Sequence, residues 1–509
     1  MKLNIKNLKK RNIHIIGISG LEGWAMLDFF LTLGFENITA HDFIEDSEFK
    51  QNFLKNHPGF SQKEIKTSFL KLLKYKKKIK IFFKKDYLRG IKKADFIFVP
   101  QSWFLYRENR PLSKLKNKIP FLGIINIYFI FVPSRIIGIT GSQGKTTTSR
   151  LVYHIFSTAA KTYSRSAETL YKGGKQAKKN TFYGGNDKKA VQCLSKIPEM
   201  KKNDFLVLEV SHRQLMNIKN SYYILKNPPK TPFIAVILNI NKNHLDEVKN
   251  FKEYQKLKKR ILFFQGKRDF AILNFDDLAI KKFSKSVKGR LLFFSKKKEL
   301  ADGVFLDPKD DFLKIKTKGR KIKIIQKEKL SLQAKHHLEN ILAAIAVSFL
   351  SKIRPEVIRT GIKSFSWPKN CFEYLERFKE IKYYNNLAST TPNATEAAIK
   401  TLISNRKNQN LVLITGGEDK GMNYRSLVKS IKKSVKFLIL FPDSVSKKIK
   451  RLFTQKERES IKEVKNLKEA VKIAKEKVKT GDTILLSPSG AFFQSKYGRR
   501  RNFLKLLNH

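Results

Sequence analysis

The residues with the clearest chemical potential follow an apolar run at Arg135–Thr140. They are Gly141, Ser142, Gln143, Gly144, Lys145, Thr146 and Thr147, and an amphipathic helical pattern begins within them. Glycines let backbone N–H groups approach phosphate oxygens, and a helix N-terminus adds positive partial charge. In such a loop the lysine reaches the outer phosphates and the following hydroxyl contacts Mg²⁺. The sequence therefore predicts a nucleotide-binding loop between a strand and a helix, in the variant form TGxxGKT.

Two further apolar strands end in side chains that suit the same chemistry. Phe205–Val210 carries Glu209 near its end, and Phe233–Ile240 is followed shortly by His244. The carboxyl ends of parallel strands meet at one edge of a sheet, where ligands bind in α/β folds. A carboxylate at such an end is a typical magnesium partner, and an imidazole can serve metal or phosphate chemistry. We therefore expect Lys145, Glu209 and His244 to surround one magnesium-bound triphosphate.

A second glycine-rich turn follows the first predicted strand, Ile13–Ile18. Gly17, Gly20 and Gly23 form a GxxGxxG pattern, and Asp42 follows the next strand. This arrangement resembles a dinucleotide-binding turn in which an acidic residue holds a ribose or a base. Because the spacing is not GxGxxG, a nicotinamide cofactor is not favoured. A tight βα turn without a ligand is the alternative interpretation.

The elements that must position these residues alternate between strand and helix, which indicates an α/β fold. Short alternating strands between residues 267 and 330 predict a small β subregion, and a helix is expected over Ser331–Phe349. A domain boundary is predicted near Trp367-Pro368, after which the alternation resumes. At 509 residues the chain is long enough for two to four domains.

The composition is strongly basic. Lys and Arg number 105 against 43 Asp and Glu, giving a formal net charge of +62. The lysines are spread along the whole chain, together with heavy use of Phe, Ile and Asn, which a drift toward A/T-rich codons would produce. As an explanation of the positive charge, we favour this codon drift combined with attraction to an anionic substrate over nucleic-acid binding.

The two cysteines, Cys193 and Cys371, give no disulfide framework and no metal-ligand spacing, which fits a reduced cytoplasmic setting. The longest apolar run, Phe121–Val132, is shorter than the ~20 residues that a membrane-spanning helix requires. No targeting segment is convincing in the first 20 residues. The sequence predicts a cytoplasmic protein without membrane insertion.

Taken together and in order, ten motifs resemble the Mur ligase family over essentially the whole chain. They are IIGISGLEGWAMLDFF, ITGSQGKTTT, YGGN, LVLEVSHRQL, LNINKNHLDE, YQKLKKRI, KHHLENILAA, YYNNLASTTPNATEAA, LITGGEDKGMNY and LLSPSGAFF. The resemblance implies three domains: a Rossmann-like UDP-sugar domain at 1–133, a central P-loop ATPase domain at 134–367, and a Rossmann-like amino-acid domain at 368–509. The central domain is expected to combine a parallel sheet with the small β subregion.

The activity implied is ATP-dependent amide bond formation in peptidoglycan precursor synthesis. The greatest similarity is to the family members that add D-glutamate to UDP-N-acetylmuramoyl-L-alanine through an acyl phosphate. Such a reaction depends on neutralising a crowded polyanion and on positioning two nucleophiles. The expected partners are therefore a UDP-sugar-peptide substrate and an amino acid, and a monomer is expected.

The resemblance also assigns roles to individual residues. Magnesium, with two sites expected, would be bound by Thr146, Glu209 and His244, and by Lys258, which matches a lysine that the family carbamylates. Asn340 is implied near the adenine of ATP. The substrate-binding set implied is Gly20, Asp42, Asn186, Thr390 and Lys420, in which Asn186 contacts the UDP-sugar and Lys420 grips the carboxylate of the amino acid.

Several positions depart from the family pattern. The differences are Asn243 before His244, His336-His337 in place of His-Asn, Asn370-Cys371 in place of an ATP-contacting arginine, Asn386 in place of a ribose-binding aspartate, Phe492 in place of a serine that helps bind D-glutamate, and Gln101-Ser102-Trp103 in place of a glycine near the uridine diphosphate. Losing charged hydrogen bonds costs ~1.5–3 kcal/mol each unless other groups compensate. The rim of the ATP site and the amino-acid pocket are therefore expected to be altered.

Three alternatives stay open beside the leading interpretation. One is a Mur-like ligase for another amino acid or acceptor, with chemistry like that of folylpolyglutamate synthase, although the N-terminal glycine unit with Asp42 is not needed there. A second is a catalytically weakened binding protein, to which Asn370-Cys371, Asn386 and Phe492 point. The third is a nucleic-acid-binding protein, based on the net charge.

Overall fold

The computed structural model describes residues 8–57, 60–169, 179–187, 193–219, 232–241, 247–248, 250–378, 380–403 and 410–507. Strands and helices alternate through these ranges and form three sheets, each made mainly of parallel strands. The predicted α/β class with three sheet-based units is confirmed.

The first sheet has five parallel strands in the order β3-β2-β1-β4-β5. Its strands are β1 Ile13–Ile16, β2 Ile38–His41, β3 Lys80–Phe82, β4 Phe96–Phe98 and β5 Phe121–Leu122. The helices that accompany it are α1 Leu21–Thr32, α2 Asp46–Lys55, α3 Gln62–Lys76, α4 Arg110–Ser113 and α5 Ile124–Phe131. All four residues of β1 are buried, as expected for a parallel strand covered on both faces.

The second sheet has nine strands in the order β14-β13-β12-β11-β10-β9-β6-β8-β7. They are β6 Arg135–Thr140, β7 Thr181–Gly185, β8 Phe205–Glu209, β9 Pro232–Ile237, β10 Phe270–Asn274, β11 Arg290–Ser295, β12 Gly303–Leu306, β13 Phe312–Thr317 and β14 Arg320–Gln326. Hydrogen bonds pair β6 in parallel with both β8 and β9. The ends of these three strands therefore lie side by side, as the sequence predicted.

The strands predicted as a small β subregion are present and extend the central sheet. β10 pairs in parallel with β9, and β11 and β12 continue in the same direction. β13 runs antiparallel to its neighbours β12 and β14. The pattern of the sequence did not indicate this continuity, because short strands with alternating polarity do not reveal which edge they join.

Helices cover both faces of the central sheet. They are α6 Lys145–Thr169, α7 His212–Met216, α8 Phe251–Lys259, α9 Leu278–Phe283, α10 Leu332–His336, α11 Leu338–Leu350 and α12 Pro355–Lys363. The single helix predicted over Ser331–Phe349 is divided at His337, which ends α10 and precedes α11. α11 buries Ala343, Ala344 and Ala346 and packs, with α12, against α6.

The third sheet has six strands in the order β15-β16-β20-β17-β18-β19, and β15 is its only antiparallel strand. Its strands are β15 Glu373–Phe378, β16 Ile381–Asn385, β17 Leu411–Thr415, β18 Phe437–Leu440, β19 Ile461–Glu463 and β20 Thr483–Leu486. The surrounding helices are α13 Pro392–Ile403, α14 Arg425–Ser434, α15 Ser444–Lys450, α16 Leu467–Lys477, α17 Phe493–Lys496 and α18 Arg500–Leu507.

The three sheets occupy residues 13–122, 135–326 and 373–486. The domains predicted from the sequence are 1–133, 134–367 and 368–509. Their boundaries fall between the sheets, and the ranges remain predictions. Among the described residues, no helix combines the length and the apolar character that crossing a membrane requires.

Candidate active site

The predicted phosphate loop joins β6 to the start of α6 and is held by the end of β9. The backbone N–H of Gln143 donates to Asn239 Oδ1 at 2.8 Å, and the N–H of Ser142 donates to the Asn239 carbonyl at 2.8 Å. Gly144 has a φ of +79°, and a Cβ built on it would lie 2.2 Å from Asn340 Oδ1. The loop therefore requires glycine at this position both for its backbone conformation and for the close approach of Asn340.

This close approach gives a testable expectation. Gly144→Ala should weaken ADP binding by roughly 10-fold or more, because the added methyl group must displace either the loop or Asn340. The measurement is titration with a fluorescent ADP analogue. Gly319→Ala is the matched control, since Gly319 has a φ of +77° but no atom within 4 Å of its built Cβ. Equal losses of ADP affinity in the two variants would mean that general destabilisation of the fold, and not a change at the phosphate loop, causes the effect.

Lys145 is the first residue of α6, and its side chain extends back toward the loop. Its Nζ donates to the carbonyls of Gly141 and Ser142 at 2.9 and 3.1 Å. Desolvation lowers the pKa of Lys145, and the negative charge of Glu209 acts in the opposite direction. The ammonium group is thus held beside the loop, where it can turn toward a bound phosphate.

Thr146 and Glu209 are in direct contact. Thr146 Oγ1 donates to Glu209 Oε2 at 2.7 Å, and Asn186 Nδ2 donates to the other carboxylate oxygen, Oε1, at 2.9 Å. Glu209 is buried at the end of β8, and its position follows from the pairing of β8 with β6 and β7. Oxygen atoms such as this hydroxyl and this carboxylate are the ligand type that Mg²⁺ prefers.

Lys258 lies on the buried face of α8 with 1% of its surface exposed. Its Nζ donates to Thr140 Oγ1 at 3.2 Å, and within the described chain no carboxylate reaches ion-pair distance of it. Burial, reinforced by the positive charge of Lys145, holds the pKa of Lys258 well below its usual value. The amine therefore lies beside the end of β6, at a position where burial disfavours its charged form.

Composition and periodicity did not indicate Lys258, which was implied only by the family resemblance. A usable signal was present, because Lys258 falls on the same helical stripe as the buried Tyr254, Leu257 and Ile261. A lysine on an apolar stripe indicates either a buried ion pair or a functional amine. His244, the third predicted strand-end residue, belongs to the segment 242–246 and lies outside the described residues.

The phosphate loop opens into a cavity of about 700 Å³ between the second and third sheets. The predicted residues that line it are Ser142, Gln143, Gly144, Lys145, Thr146, Thr147, Asn340 and Thr390. Three lysines on its wall are paired with glutamates: Lys296 with Glu339, Lys335 with Glu328, and Lys400 with Glu396. Its dimensions and charge suit a nucleotide.

Two histidine rings, His336 and His337, line part of this cavity and stack on aromatic side chains behind them. His337 stacks on Trp367 with 5.2 Å between ring centroids, and His336 stacks on Phe372 at 4.3 Å. Burial lowers the pKa of His337 to about 4 and that of His336 well below its usual value. Both rings are therefore neutral near pH 7 and present apolar faces rather than positive charge.

A second cavity, of about 360 Å³, lies at the end of the first sheet. It is lined by Gly20, Asp42 and Asn186, and also by Gln101. The Asp42 carboxylate accepts hydrogen bonds from the backbone N–H groups of Ser19 and Ile44, at 2.7 and 3.4 Å, so it also stabilises the glycine-rich turn. Three of the five predicted substrate-binding residues therefore share one cavity.

The other two predicted substrate-binding residues lie elsewhere. Thr390 lines the nucleotide cavity, whereas Lys420 follows β17 and is not among the described residues that line either cavity. Lys420 Nζ lies 5.7 Å from the centroid of the Phe492 ring. Phe492 is 65% exposed and has a left-handed φ of +59°. The apolar ring thus stands next to the cation assigned to the amino-acid carboxylate.

Family models match two long segments of the chain. The model described as Mur ligase middle domain matches residues 139–348, and the model described as Mur ligase, glutamate ligase domain matches residues 372–490. Together these segments contain the phosphate loop, Glu209, Lys258 and the wall of the nucleotide cavity.

Similar proteins cover most of the chain. UDP-N-acetylmuramoylalanine--D-glutamate ligases from Alkaliphilus metalliredigens and Clostridioides difficile are 30% and 32% identical, over 77% and 78% of this chain and 78% and 81% of theirs. The fold is also similar to that of MurF ligase from Thermotoga maritima in complex with ADP (TM-score 0.54, 18% identity, 82% of this chain and 90% of that one). A UDP-N-acetylmuramate-alanine ligase from Thermotoga maritima gives a TM-score of 0.52 at 16% identity, over 98% and 99% of the two chains. This chain belongs to the Mur ligase family and is an ATP-dependent ligase.

Proposed function

We propose that this chain adds D-glutamate to UDP-N-acetylmuramoyl-L-alanine in peptidoglycan precursor synthesis, with hydrolysis of ATP to ADP and phosphate. The position of Glu209 is the observation that carries the proposal. One oxygen of its carboxylate contacts Thr146 of the nucleotide cavity, and the other contacts Asn186 of the second cavity. The names of the relatives at about 30% identity supply the substrate and the amino acid.

The reaction proceeds in two steps that balance without an oxidant or a reductant. A carboxylate oxygen of the L-alanyl group attacks the γ-phosphorus of ATP, forms an acyl phosphate and expels ADP. The amine of D-glutamate then attacks the acyl carbon, an amide bond forms, phosphate leaves and the amine loses a proton. Backbone N–H groups of the loop and the Lys145 ammonium bind the phosphate oxygens and balance their charge.

Magnesium fits the oxygen atoms gathered at Thr146 and Glu209, and we assign these two residues to one site, with His244 at a second. Bound there, magnesium would neutralise phosphate charge during transfer. Carbon dioxide reacts with the neutral form of an amine, and burial favours that form at Lys258. Carbamylation would turn this lysine into an additional anionic ligand. Lys258 contacts Thr140, and the charges of Lys145 and Glu209 both affect its pKa. This position supports the assignment.

The amino-acid site is proposed at Lys420, whose charge would pair with a carboxylate of D-glutamate. Phe492 beside it favours one second candidate, which is a ligase of the same chemistry for a different amino acid. The protein is proposed to be cytoplasmic, to act as a monomer and to need no nucleic acid, because a soluble sugar nucleotide and an amino acid are its only substrates besides ATP.

A phosphate-release assay with UDP-N-acetylmuramoyl-L-alanine, MgATP and a panel of D- and L-amino acids tests the proposal. We expect phosphate release with D-glutamate and rates at least about 10-fold lower with each other amino acid, because a carboxylate that pairs with Lys420 in one geometry leaves charges unpaired in the others. Preference for a different amino acid would replace D-glutamate by that substrate. Absence of release with every member of the panel would favour a protein that binds without catalysis.

A further inference from the structure

Gln101 lines the second cavity, and Asn186 connects it by hydrogen bonds to Glu209. It follows β4 in the first sheet, and it contacts residues from both the first and the second sheet units. Its backbone N–H donates to Glu22 Oε2 at 2.6 Å, and its side-chain Nε2 donates to Glu22 Oε1 at 3.1 Å and to Asn186 Oδ1 at 2.9 Å. Its Oε1 accepts from Ser211 Oγ at 2.6 Å. Every polar atom of this side chain is therefore used.

The carboxylates of Glu22 and Glu209 fix the direction of each hydrogen bond in the series that joins them through Gln101 and Asn186. Glu209 is an acceptor when ionised, so Asn186 must direct its Nδ2 toward it and its Oδ1 away from it. The group that meets Asn186 Oδ1 must then be a donor, and Gln101 Nε2 is that donor. The orientation of Gln101 is set in turn by Glu22, whose oxygens accept from both its backbone and its side chain.

We propose that Gln101 is a positioning residue for the metal site, and that it acts by holding the Asn186 amide so that Asn186 orients the Glu209 carboxylate toward Thr146. The proposal rests on the assignment of Glu209 as a magnesium ligand in the proposed function. Hydrogen bonds to a metal ligand from residues behind it typically change metal affinity by 10–100-fold when they are lost. The first sheet unit, which carries part of the second cavity, thereby contributes to metal binding at the phosphate loop.

Without Gln101, Asn186 Oδ1 loses the donor that holds it. The Asn186 amide still directs Nδ2 toward Glu209 Oε1, but Gln101 no longer fixes it from the other side. The Glu209 carboxylate is then held less firmly in the orientation that contacts Thr146. The expected effect is a weaker metal site with an unchanged phosphate loop.

Gln101→Met tests the proposal, because methionine has nearly the length of glutamine and donates no hydrogen bond. The direct readout is Mn²⁺ binding in the presence of ADP and the absence of sugar nucleotide, followed by electron paramagnetic resonance of free Mn²⁺. We expect the dissociation constant of Mn²⁺ to rise about 10-fold, while ADP affinity measured in EDTA is unchanged. Gln101→Leu, which also lacks a hydrogen-bond donor, should act in the same direction and serves if the methionine variant does not fold.

Asn126→Ala is the matched control. Asn126 Nδ2 donates to the carbonyl of Asn217 at 3.0 Å, so it also links the first sheet unit to the second, but through no residue that contacts Glu209. We expect this variant to lower thermal stability and to leave the Mn²⁺ dissociation constant unchanged. An equal rise with Asn126→Ala, an unchanged value with Gln101→Met, or no Mn²⁺ binding by the wild type would overturn the proposal.

Turnover by the wild type with UDP-N-acetylmuramoyl-L-alanine and D-glutamate separates this proposal from the proposed function. If the wild type does not turn over but Gln101→Met weakens Mn²⁺ binding, the substrate assignment fails and the role of Gln101 stands. If the wild type turns over and Mn²⁺ binding is the same in both proteins, only the role of Gln101 fails.

Discussion

Replacing Lys145 with alanine is expected to reduce ATP-dependent phosphate release by about 10³-fold or more. The loss follows from charge, because phosphoryl transfer depends mainly on positioning and on electrostatic stabilisation of the phosphate oxygens. Lys145 is held at the loop by the carbonyls of Gly141 and Ser142, so the alanine variant removes an ammonium group that the loop already positions. Steady-state phosphate release at saturating substrates is the measurement.

An exposed lysine provides the control for this change. Lys196 pairs with Glu199 on the surface and is 55% exposed, and its replacement by alanine should leave turnover within about twofold of the wild type, as surface pairs contribute little. Thermal melting of both variants checks that neither is unfolded. Retention of more than a tenth of the activity by Lys145→Ala would contradict the assignment of the phosphate loop.

The parts of the site that the sequence predicted are those fixed by strand ends. Lys145 and Glu209 were expected to meet because each follows a buried parallel strand, and the pairing of β6 with β8 brings their charges close. Gly20 and Asp42 likewise follow neighbouring strands of the first sheet, and both line the second cavity. Local spacing is sufficient in these cases because a parallel sheet carries successive strand ends to the same edge.

Other features depend on contacts between residues far apart in the chain, which spacing does not encode. Gln101 and Asn186 are 85 positions apart and meet only because the first and second sheet units pack against each other. Lys258 reaches the phosphate loop from a helix 118 positions after Thr140. His337, at which one predicted helix is divided, stacks on Trp367, and the spacing of the sequence did not indicate this contact either.

One departure from the family pattern at the ATP site, Asn386, has a structural explanation. Asn386, which stands where an aspartate was expected, donates to Ser487 Oγ at 3.0 Å and accepts from the N–H of Phe372 at 3.0 Å. It therefore supports the segment that carries Cys371 to the cavity. Positive charge is supplied at the cavity wall by lysines such as Lys296 and Lys335, although each has a glutamate partner. Asn386 therefore has defined hydrogen-bond partners at the altered rim of the ATP site. The expectation that this rim weakens ATP use remains a prediction.

Lys258→Met is expected to separate activity from stability. Turnover should fall by about 10³-fold, the scale of removing a group that stabilises transferred phosphate charge. Stability at pH 7 should rise, because an amine with a strongly lowered pKa is buried at a cost that a similarly sized apolar side chain avoids. Phosphate release and the midpoint of urea denaturation measure the two effects.

The pH dependence identifies the cause of the stability change. The pKa of Lys258 is lower in the folded chain than in the unfolded chain, so the unfolded chain binds more protons between the two values. Below the unfolded-state pKa this difference destabilises the wild type, and the penalty disappears as the pH rises through ~10.4. The advantage of Lys258→Met should therefore shrink as the pH rises from the lowered folded-state pKa toward ~10.4. A methionine variant that is less stable than the wild type at pH 7 would mean that Lys258 is a structural lysine with a charge partner, and its assignment to the metal site would have to be abandoned.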